Sequence, residues 1–421
     1  MKSDGRIVRR GEDAGGACPA MSSGESATAR NRLSGSDGVV VIVSTPEDPH
    51  AATVANALSA LGHAPVWLSQ GDIPGRAGHA FLFEEKDPER GAPVGIGNAE
   101  APAAIGQRFG YPRWVWRMGD RDVLAGRRVR SIWLRRLTPV GTPDVHPEDA
   151  EFAKREIEVF LGNFWQVVGR GAFWVNPPEA FRRGERKALQ LREASAAGLA
   201  IPATLIGNEP AAIRAFVRRH AGQDGVVYKA FLPYGWDGKD GRRHVIPTTP
   251  IGPDDLPDND MLRAVPGIYQ QRIAKRHEVR LTMFGDFPVA VRIPVEATVR
   301  NGELDWRTVP LGDLALEPCK VPEGVLSRVR NFMRRLDLAF GCFDFIVTPA
   351  GEWVFLEVNQ MGQFLWVEAR NPDIPMLAHF CAYLLAARRD FSGASPEIIE
   401  RIRFRDHVPA NAAETERQAV T

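Results

Sequence analysis

The spacing of hydrophobic positions changes in a regular order along this chain. Near its start, a continuous apolar run at 39–44 predicts a strand buried on both faces, and the next strand is predicted at 64–69. Apolar residues at helical spacing lie between them and end at Gly62, so a strand–helix–strand unit with a right-handed crossover is predicted. Further strands are predicted at 129–137, 202–207, 226–231, 245–250, 268–273, 277–284, 287–293, 342–348 and 353–358. Helices are predicted at 146–168, 178–198 (with Asn176 as its N-cap), 210–221, 321–341 and 375–389.

The last two strands form a hairpin that carries opposed acidic residues. If Thr348 and Trp353 flank its loop, Asp344 faces Glu357 directly, and Asn359 lies further along the same face. Like charges in that position destabilise a sheet, and a divalent cation would remove the conflict. Oxygen ligands of this kind suit Mg²⁺, which usually takes one or two carboxylates plus substrate phosphates. The hairpin therefore predicts a metal and phosphate site.

An alternative is that Asp344 and Glu357 are solvent-facing residues on a half-exposed hairpin. The apolar Ile346 and Phe355, expected on the same face, argue against full exposure. The opposite face is expected to be core and carries Phe343, Phe345, Val347, Val354, Leu356 and Val358.

Composition narrows the class of protein without choosing a function. The chain has 421 residues, 44% of them hydrophobic and 25% charged, which favours a globular protein of about two or three domains. A net charge of +1 predicts no nucleic-acid or membrane partner, and no apolar run approaches the ~20 residues of a membrane span. The four cysteines are scattered without a C-x-x-C, which favours a reducing cytoplasm over disulfides or zinc.

The two ends of the chain lack periodic apolar positions. Residues 1–37 are rich in Gly, Ser, Ala and Arg and are predicted to be disordered, with Met21 as an alternative start. Residues 392–421 are polar and are expected to be a loosely held tail.

Basic side chains in the middle of the chain complement the acidic hairpin. Lys187 lies on a predicted helix, Lys229 interrupts a buried-type strand, and Arg280 and Arg292 lie on consecutive strands. Two lysines and two arginines can hold a triphosphate whose oxygens Mg²⁺ bridges. The backbone at 270–273 could bind a purine. No Walker A motif is present, so the chain is not a P-loop protein.

In these segments the sequence resembles the ATP-grasp superfamily, and more specifically the graspetide (microviridin-type) peptide maturases. The order and spacing of the segments carry the resemblance. They are NPPEAFRRGERKALQLREASAAGLAIPATLIGN (176–208), VVYKAF (226–231), TTP (248–250), YQQRIAKRHEVRLTMFGD (269–286) and FGCFDFIVTPAGEWVFLEVNQMGQFLWVE (340–368). The segment at 39–69, with the later SIWLRRL (131–137), resembles that family's pre-ATP-grasp domain.

The resemblance implies a fold and domain boundaries. The fold would be a Rossmann-like α/β pre-ATP-grasp domain followed by a two-lobed α+β ATP-grasp fold. The implied boundaries are 1–37 for the extension, 38–145 for the pre-ATP-grasp domain, 146–391 for the ATP-grasp domain (lobes at about 199–272 and 273–391) and 392–421 for the tail.

The resemblance also implies a role for each candidate residue. Cofactor-binding residues for ATP would be Lys187, Lys229, Gln271, Arg272, Ile273 and Glu278, with 271–273 as the adenine hinge. Metal ligands for Mg²⁺, with two ions expected, would be Asp344, Glu357 and Asn359. Arg280 and Arg292 would be catalytic and would stabilise charge on the transferred phosphoryl group. Gln271 replaces a glutamate common in the family, and Gln360-Met361-Gly362 replaces its usual Pro-Asn-Gly.

The placement of the two arginines depends on one turn. A two-residue loop at 285–286 would put Arg280 and Arg292 on opposite faces, whereas a three-residue loop or a bulge would bring them to one face. Pro288 cannot donate to a ladder, so a bulge is predicted and both guanidinium groups are expected to enter one cleft. The alternative is a structural arginine paired with a carboxylate, either Glu278 or Asp344.

The implied activity is that of an ATP-dependent ligase. An Asp or Glu side chain of a ribosomal precursor peptide would become an acyl phosphate, and a Thr, Ser or Lys side chain would then displace phosphate to give an ester or amide. A leader segment of that peptide would dock on the enzyme, and a homodimer is the expected oligomer. The alternatives are an ATP-grasp glutamate or amino-acid ligase with a protein-tail or small-molecule substrate, and a nucleotide-binding module without turnover.

Overall fold

The chain forms several β-sheets and many short helices in a mixed α/β arrangement. The computed structural model describes residues 38–75, 77–82, 113–118, 121–125, 129–137, 140–141, 143–222, 225–231, 236–237, 243–244, 248–294 and 314–409. The predicted disorder of residues 1–37 and the end of the predicted tail lie outside these ranges. Within them, no helix is both long and apolar enough to cross a membrane.

Each predicted strand overlaps a strand of the described residues, which also contain seven strands outside the predicted positions. The strands are β1 (Val39–Val43), β2 (Val66–Leu68), β3 (Ala77–Leu82), β4 (Arg113–Met118), β5 (Arg121–Ala125), β6 (Val129–Leu134), β7 (Phe173–Val175), β8 (Thr204–Gly207), β9 (Val226–Lys229), β10 (Trp236–Asp237), β11 (Arg243–His244), β12 (Thr249–Ile251), β13 (Gly267–Gln271), β14 (His277–Phe284), β15 (Phe287–Pro294), β16 (Glu317–Pro318), β17 (Phe340–Val347) and β18 (Trp353–Asn359).

The helices also follow the predicted periodicity, with one break. They are α1 (Pro49–Ala60), α2 (Ala150–Val168), α3 (Pro178–Glu185), α4 (Lys187–Ala196), α5 (Pro210–His220), α6 (Asn259–Ala264), α7 (Glu323–Leu336), α8 (Leu365–Arg370), α9 (Met376–Ala386), α10 (Pro396–Arg401) and α11 (Phe404–His407). The segment at 178–198, predicted as one helix, is divided into α3 and α4 by Arg186, whose backbone is extended.

The described residues divide into two compact units. One contains the antiparallel sheet β3-β4-β5 and most of α2. Its core is aromatic, with His79 against Trp116 and Phe164 at ring-centroid distances of 3.9 and 5.1 Å. The other unit contains the remaining described elements. This division does not follow the boundaries inferred from the resemblance, which stay a prediction.

The parallel sheet β2-β1-β6-β7 opens the larger unit. The strand–helix–strand prediction is confirmed there, since β1 pairs with β2 in parallel across α1. Helix α9 packs on the sheet, with Trp133 against Phe380 at 4.7 Å and the Ser131 hydroxyl donating to the Leu384 carbonyl at 2.8 Å. Sheet and helix therefore share one hydrophobic core with the later strands.

Two antiparallel sheets follow. One has the strand order β12-β9-β13-β8, and the other has the order β16-β15-β14-β17-β18. Helix α7 presents Leu326, Val329 and Phe332 to one face of the five-stranded sheet, where Phe343 and Phe355 are also buried. This core supports the opposite face, on which the acidic residues lie.

The expectation of a loosely held tail from residue 392 is wrong for its first half. Residues 396–407 contain α10 and α11. Ile402 and Phe404 are buried in the same core as α9, and the Glu368 carboxylate accepts hydrogen bonds from the backbone N–H groups of Phe404 and Leu377, each at 2.8 Å. Ile398, Ile399 and Val408 also pack against this core, so the segment is anchored by a few apolar side chains among many polar ones.

A buried histidine on α9 predicts loss of stability in acid. His379 is 9% exposed, and its Nδ1 accepts a hydrogen bond from the Ala394 backbone N–H at 3.0 Å, so the folded state needs the neutral ring. Burial lowers its pKa from 6.5 to about 4. Between these values the unfolded chain binds more protons, so the stabilisation is complete above 6.5 and is lost as the pH falls towards 4.

We expect His379 to contribute about 1–3 kcal/mol to the fall in unfolding free energy between neutral pH and about pH 4.5. Urea unfolding of the wild type and His379→Gln at both pH values checks this. The variant should be less stable at neutral pH and less sensitive to acid, and an identical pH dependence would contradict the assignment.

Candidate active site

A cleft opens between the two antiparallel sheets. It encloses about 690 Å³ of space, part of which is open to solvent. The four-stranded sheet and the segment after it contribute one side, and β14, β17 and β18 contribute the other. The lining residues are Val227, Lys229, Thr248, Gln270, Gln271, Arg272, Ile273, Lys275, Glu278, Asp344, Ile346, Leu356 and Glu357.

The predicted acidic pair lies on the floor of this cleft. Asp344 and Glu357 are direct partners in the β17–β18 ladder. Asp344 is only 4% exposed, so it is not a solvent-facing residue. Its Oδ1 accepts a hydrogen bond from Arg280 Nη1 at 2.8 Å, and Lys187 Nζ donates to Glu357 Oε2. Both carboxylates thus have cationic partners, as expected where adjacent negative charges must be neutralised.

This arrangement fits Mg²⁺. Two opposed carboxylates offer hard oxygen ligands on a rigid hairpin, with room in the cleft for phosphate oxygens. Among the described residues, no group of three or more His, Cys, Asp or Glu side chains could hold a metal ion. Asn359, the third ligand that the resemblance implied, lies two residues beyond Glu357 at the end of β18.

The hairpin contains a bulge that the alternation of residue types did not predict. Asp344 pairs with Glu357, but Phe345 pairs with Phe355, so Leu356 is the extra residue. Phe355 therefore joins the core with no exposure, and Leu356 lines the cleft. The prediction had placed Phe355 on the face of the acidic pair, with Leu356 and Val354 on the core face. Instead Val354 pairs with Ile346 of the cleft lining, and the loop is not flanked by Thr348 and Trp353 because Val347 pairs with Trp353. Burying the larger aromatic ring on the α7 side accounts for the shift.

Asn359 ends β18 and begins a tight loop. Its Oδ1 accepts hydrogen bonds from the backbone N–H groups of Met361 and Gly362, each at 3.1 Å. Gly362 has a φ of +65°, a conformation that favours glycine, and an added Cβ would collide with Phe340. The asparagine is thus held next to the acidic pair by its own loop.

The prediction that Arg280 and Arg292 enter one cleft is wrong. Strands β14 and β15 pair regularly through a two-residue turn, with Arg280 opposite Val291 and Val279 opposite Arg292. Gly285 at φ +60° takes the first turn position, as in type II′ hairpins.

No bulge is needed at Pro288. In the described residues, β16 pairs with β15 only at Val291 and Arg292. Pro288 therefore has no strand partner on its outer side, and its lack of an N–H group leaves no ladder hydrogen bond unformed there.

The two arginines consequently have different surroundings. Arg280 is 4% exposed and reaches Asp344 and the Gln363 carbonyl, the latter at 3.0 Å. The alternative of an arginine paired with Asp344 therefore describes the contact that Arg280 makes. Arg292 is 40% exposed on the opposite face, where it pairs with Glu317. Its position removes Arg292 from the candidate site.

Lys229 faces the acidic pair from the other sheet. Its Nζ donates to Gln270 Oε1 at 2.9 Å, and Gln270 in turn donates from Nε2 to the Thr204 hydroxyl at 3.0 Å. These hydrogen bonds fix the ammonium group in the cleft wall. A lysine in this position supplies a positive charge opposite the carboxylates.

The segment predicted as an adenine hinge leaves β13 at the cleft edge. The Gln271 and Arg272 N–H groups donate inward to the Ala203 and Gly225 carbonyls at 2.8 and 2.9 Å. Within the described residues, no hydrogen bond to the Ile273 backbone is formed. The Ile273 backbone is therefore the part of this segment that can accept a planar ligand's hydrogen bonds.

Glu278 also lines the cleft, and its partner was not predicted. Lys275 Nζ donates to Glu278 Oε1 at 2.6 Å, and the two side chains are 15% and 11% exposed. Sequence reasoning missed Lys275, although a basic residue three positions before an acidic residue at the start of a strand is a weak signal for such a pair.

Lys187 reaches Glu357 because of the break between α3 and α4. The break makes Lys187 the first residue of α4. Gly184, just before it, lies so close to Gln360 that an added Cβ would come within 2.9 Å of the Gln360 side chain. The close packing of α3 on the loop after β18 thus sets where α4 begins.

Asn176 is not the helix cap that the sequence predicted, because Pro177 occupies that position. Asn176 is fully buried. Its Oδ1 accepts from the N–H groups of Ala339 and Phe340 at 2.6 and 2.9 Å, and its Nδ2 donates to the carbonyls of Phe340 and Gln360 at 3.0 and 2.9 Å. It therefore joins the start of β17 to the residue that follows β18, at the open end of the hairpin.

Solved structures share this fold. The macrocyclase MdnC from Microcystis aeruginosa MRC, bound with precursor peptide MdnA, is 22% identical over 83% of this chain and 97% of its own, with a TM-score of 0.61. A RiPP-associated ATP-grasp ligase from Chryseobacterium gregarium, in complex with ADP and a leader and core peptide, is 20% identical over 83% and 95%, with a TM-score of 0.65. The ATP-grasp ligase PsnB, complexed with minimal precursor, Mg and ADP, is 21% identical over 83% and 96%, with a TM-score of 0.59.

No family model and no curated protein sequence matches the chain. At these identities the structural likeness shows the fold. The chain has the fold of these ATP-grasp ligases, and each of the three structures contains a bound precursor or leader and core peptide. The predicted resemblance to that superfamily is confirmed at the level of the fold.

Proposed function

We propose that this protein is an ATP-dependent ligase that joins carboxylate side chains to hydroxyl or amine side chains within a ribosomal precursor peptide. One observation carries the proposal. Asp344 and Glu357 oppose each other on the floor of a cleft whose other wall presents Lys229 and the 271–273 segment. A complex of Mg²⁺ with a nucleotide triphosphate needs oxygen ligands for the metal on one side. On the other side it needs a positive charge for the phosphates and a backbone segment for the base.

Each group has a separate task in the bound state. Asp344, Glu357 and the Asn359 amide would hold Mg²⁺, which supplies charge neutralisation on the phosphate oxygens. Lys229 and Lys187 would bind phosphate oxygens, and Glu278 would lie near the ribose. The Ile273 backbone would hydrogen-bond the adenine edge. Because Lys187 pairs with Glu357, nucleotide binding would transfer this ammonium group from the carboxylate to a phosphate.

The reaction would proceed in two displacements. A peptide carboxylate oxygen attacks the γ-phosphorus of ATP, the bond to the β–γ bridging oxygen breaks, and ADP leaves. A hydroxyl or amine then attacks the acyl carbon, loses its proton and expels phosphate. Arg280, which donates to Asp344, would stabilise negative charge on the transferred group. Catalysis would rest mainly on positioning and charge neutralisation.

The peptide substrate is the part of the proposal that the similar structures support. MdnC is bound with a precursor peptide, and the Chryseobacterium gregarium ligase with a leader and core peptide. By analogy, the strand–helix–strand sheet would belong to a pre-ATP-grasp domain at 38–145, and the lobes to 199–272 and 273–391. The leader-binding surface, a homodimer and a cytoplasmic location stay predictions.

Incubation with ATP, Mg²⁺ and the product of a neighbouring gene for a short Thr/Asp/Glu-rich peptide tests the function. Mass spectrometry should show the peptide losing one water per cross-link, together with ADP release. Omission of ATP is the control. ATP binding with consumption at background for every candidate peptide would support a module without turnover.

The second candidate is a ligase of the same fold that acts on a free amino acid or a protein tail. The absence of any such peptide gene nearby, with ADP release stimulated by a free amino acid, would favour it over peptide maturation.

A further inference from the structure

Side chains from distant parts of the chain donate hydrogen bonds to the loop that follows β18. Residues 360–363, here called the β18 loop, lie between Asn359 and α8. Each backbone carbonyl of this loop accepts a hydrogen bond from a side chain of a distant element. The donors are Asn176 to Gln360 at 2.9 Å, Arg135 to Met361 at 3.3 Å and to Gly362 at 3.0 Å, and Arg280 to Gln363 at 3.0 Å.

Arg135 and Asn359 therefore hold the same two residues, and the peptide group between Met361 and Gly362 is hydrogen-bonded on both sides. The N–H groups of Met361 and Gly362 donate to Asn359 Oδ1, and the carbonyls of the same two residues accept from Arg135 Nη1. Loss of the arginine would free these peptides to rotate. Rotation would also remove the N–H groups that orient the Asn359 amide.

The guanidinium group of Arg135 is itself held by a buried carboxylate. Arg135 follows β6 and is 1% exposed, and its Nε lies 3.1 Å from Asp48 Oδ2. Asp48 caps α1 through the His50 N–H at 3.0 Å and accepts from the Ser44 hydroxyl at 2.8 Å. Burial alone would raise the pKa of Asp48, but Arg135, Ser44 and Arg136 lower it below its ordinary value.

Such a buried ion pair is not explained by stability alone. Replacing a buried pair by apolar residues is often neutral or stabilising, so the pair needs another reason to be present. The same strand offers a comparison in Arg130, whose Nη1 donates to the Leu385 carbonyl at the end of α9 at 2.7 Å. Arg130 makes the same kind of bond, but to a helix end instead of to the β18 loop.

We propose that Arg135, anchored by Asp48, is a positioning residue that fixes the β18 loop and, through it, the Asn359 amide. The inference rests on the proposed function, because it treats Asn359 as a ligand of the divalent cation. Arg135 follows β6 of the parallel sheet, so this sheet would help to support a site built by the two antiparallel sheets. Outer partners of this kind typically change metal affinity by about 10–100-fold.

Arg135→Met and Arg130→Met form a matched pair for the test. Hydrogen exchange of the peptide spanning residues 359–364 should become about tenfold faster in Arg135→Met and stay unchanged in Arg130→Met. The Mg²⁺ concentration that half-saturates ADP binding should rise by about tenfold or more in Arg135→Met alone. At saturating Mg²⁺, the kcat of Arg135→Met should stay within a few-fold of the wild type.

Two further variants keep the test decisive if Arg135→Met folds poorly. Asp48→Asn/Arg135→Met removes both buried charges and keeps an N-cap, and it should show the same faster exchange. Arg135→Lys should restore part of the Mg²⁺ affinity. Wild-type exchange and Mg²⁺ dependence in the double variant would overturn the inference. If the wild type binds ADP with Mg²⁺ but turns over no substrate, the proposed ligase activity fails while the exchange test of Arg135 stands.

Discussion

Glu357→Gln is expected to abolish ATP-dependent turnover while leaving the fold intact. The substitution keeps the size of the side chain and removes the charge that would hold Mg²⁺ opposite Asp344. Metal-assisted charge stabilisation contributes several kcal/mol. Its loss corresponds to a fall in kcat on the order of 10³-fold or more.

The same variant should barely change stability. The Glu357 and Lys187 side chains are 29% and 32% exposed, and a pair of this kind contributes about 0–1 kcal/mol. Removing one of two opposed carboxylates also relieves their repulsion. Thermal unfolding of the variant should therefore stay close to that of the wild type.

Glu352→Gln is the matched control, since it makes the same chemical change in the exposed turn of the same hairpin. ADP release and peptide mass should be unaffected in this variant. Unchanged turnover in Glu357→Gln would remove the metal assignment, and equal losses in both variants would point to the hairpin fold and not to the carboxylate.

The opposition of Asp344 and Glu357 was predicted correctly, although the loop that the prediction assumed is not the one observed: Val347 pairs with Trp353, and the bulge at Leu356 restores the register of the acidic pair. Two strand-forming runs joined by turn residues leave few registers, and the acidic residues share a face in the one adopted. The cleft that contains them could not be predicted this way. Its other wall comes from strands more than 70 positions earlier, and only the resemblance connected Lys229 with the hairpin.

The alternation of side chains along β18 gave the wrong faces for Phe355 and Leu356, because one extra residue in the strand reverses the alternation. Phe355 and Leu356 are both apolar, so the pattern could not show which of them is the bulge. Packing against α7 decides it, and that contact is long-range. For Arg292, in contrast, the sequence did contain the necessary information. A Gly-X turn at 285–286 favours the regular register that β14 and β15 adopt, and Pro288 does not disturb it.

The supporting residues were the least predictable part of the site. Asn176 and Arg135 bind backbone atoms of the hairpin and its loop. Every residue has such backbone atoms, so the residue types of the hairpin do not show which side chains bind it. Their positions in the sequence instead suggested a helix cap for Asn176 and a place in the predicted strand at 129–137 for Arg135. A buried polar side chain with backbone partners is thus visible only once the fold brings the segments together.

Arg280→Lys should strongly impair turnover, whereas Arg292→Lys should leave it within about twofold of the wild type. The two arginines lie on paired strands but on opposite faces. Arg280 is held between Asp344 and the Gln363 carbonyl at the cleft floor. Lysine keeps the positive charge next to Asp344 but cannot make both contacts in this geometry, because it lacks the planar fork of donors.

Loss of one such preorganised donor typically costs about 10²–10³-fold in kcat, which is the effect we expect for Arg280→Lys. Keeping the charge matters for the design, because leaving Asp344 unpaired would cost about 3–5 kcal/mol of stability and confuse the result. Rates of ADP release at saturating ATP and Mg²⁺, with thermal unfolding of both variants, make the comparison. A large loss in Arg292→Lys, whose guanidinium pairs with Glu317 away from the cleft, would show that the face assignment fails in the working enzyme.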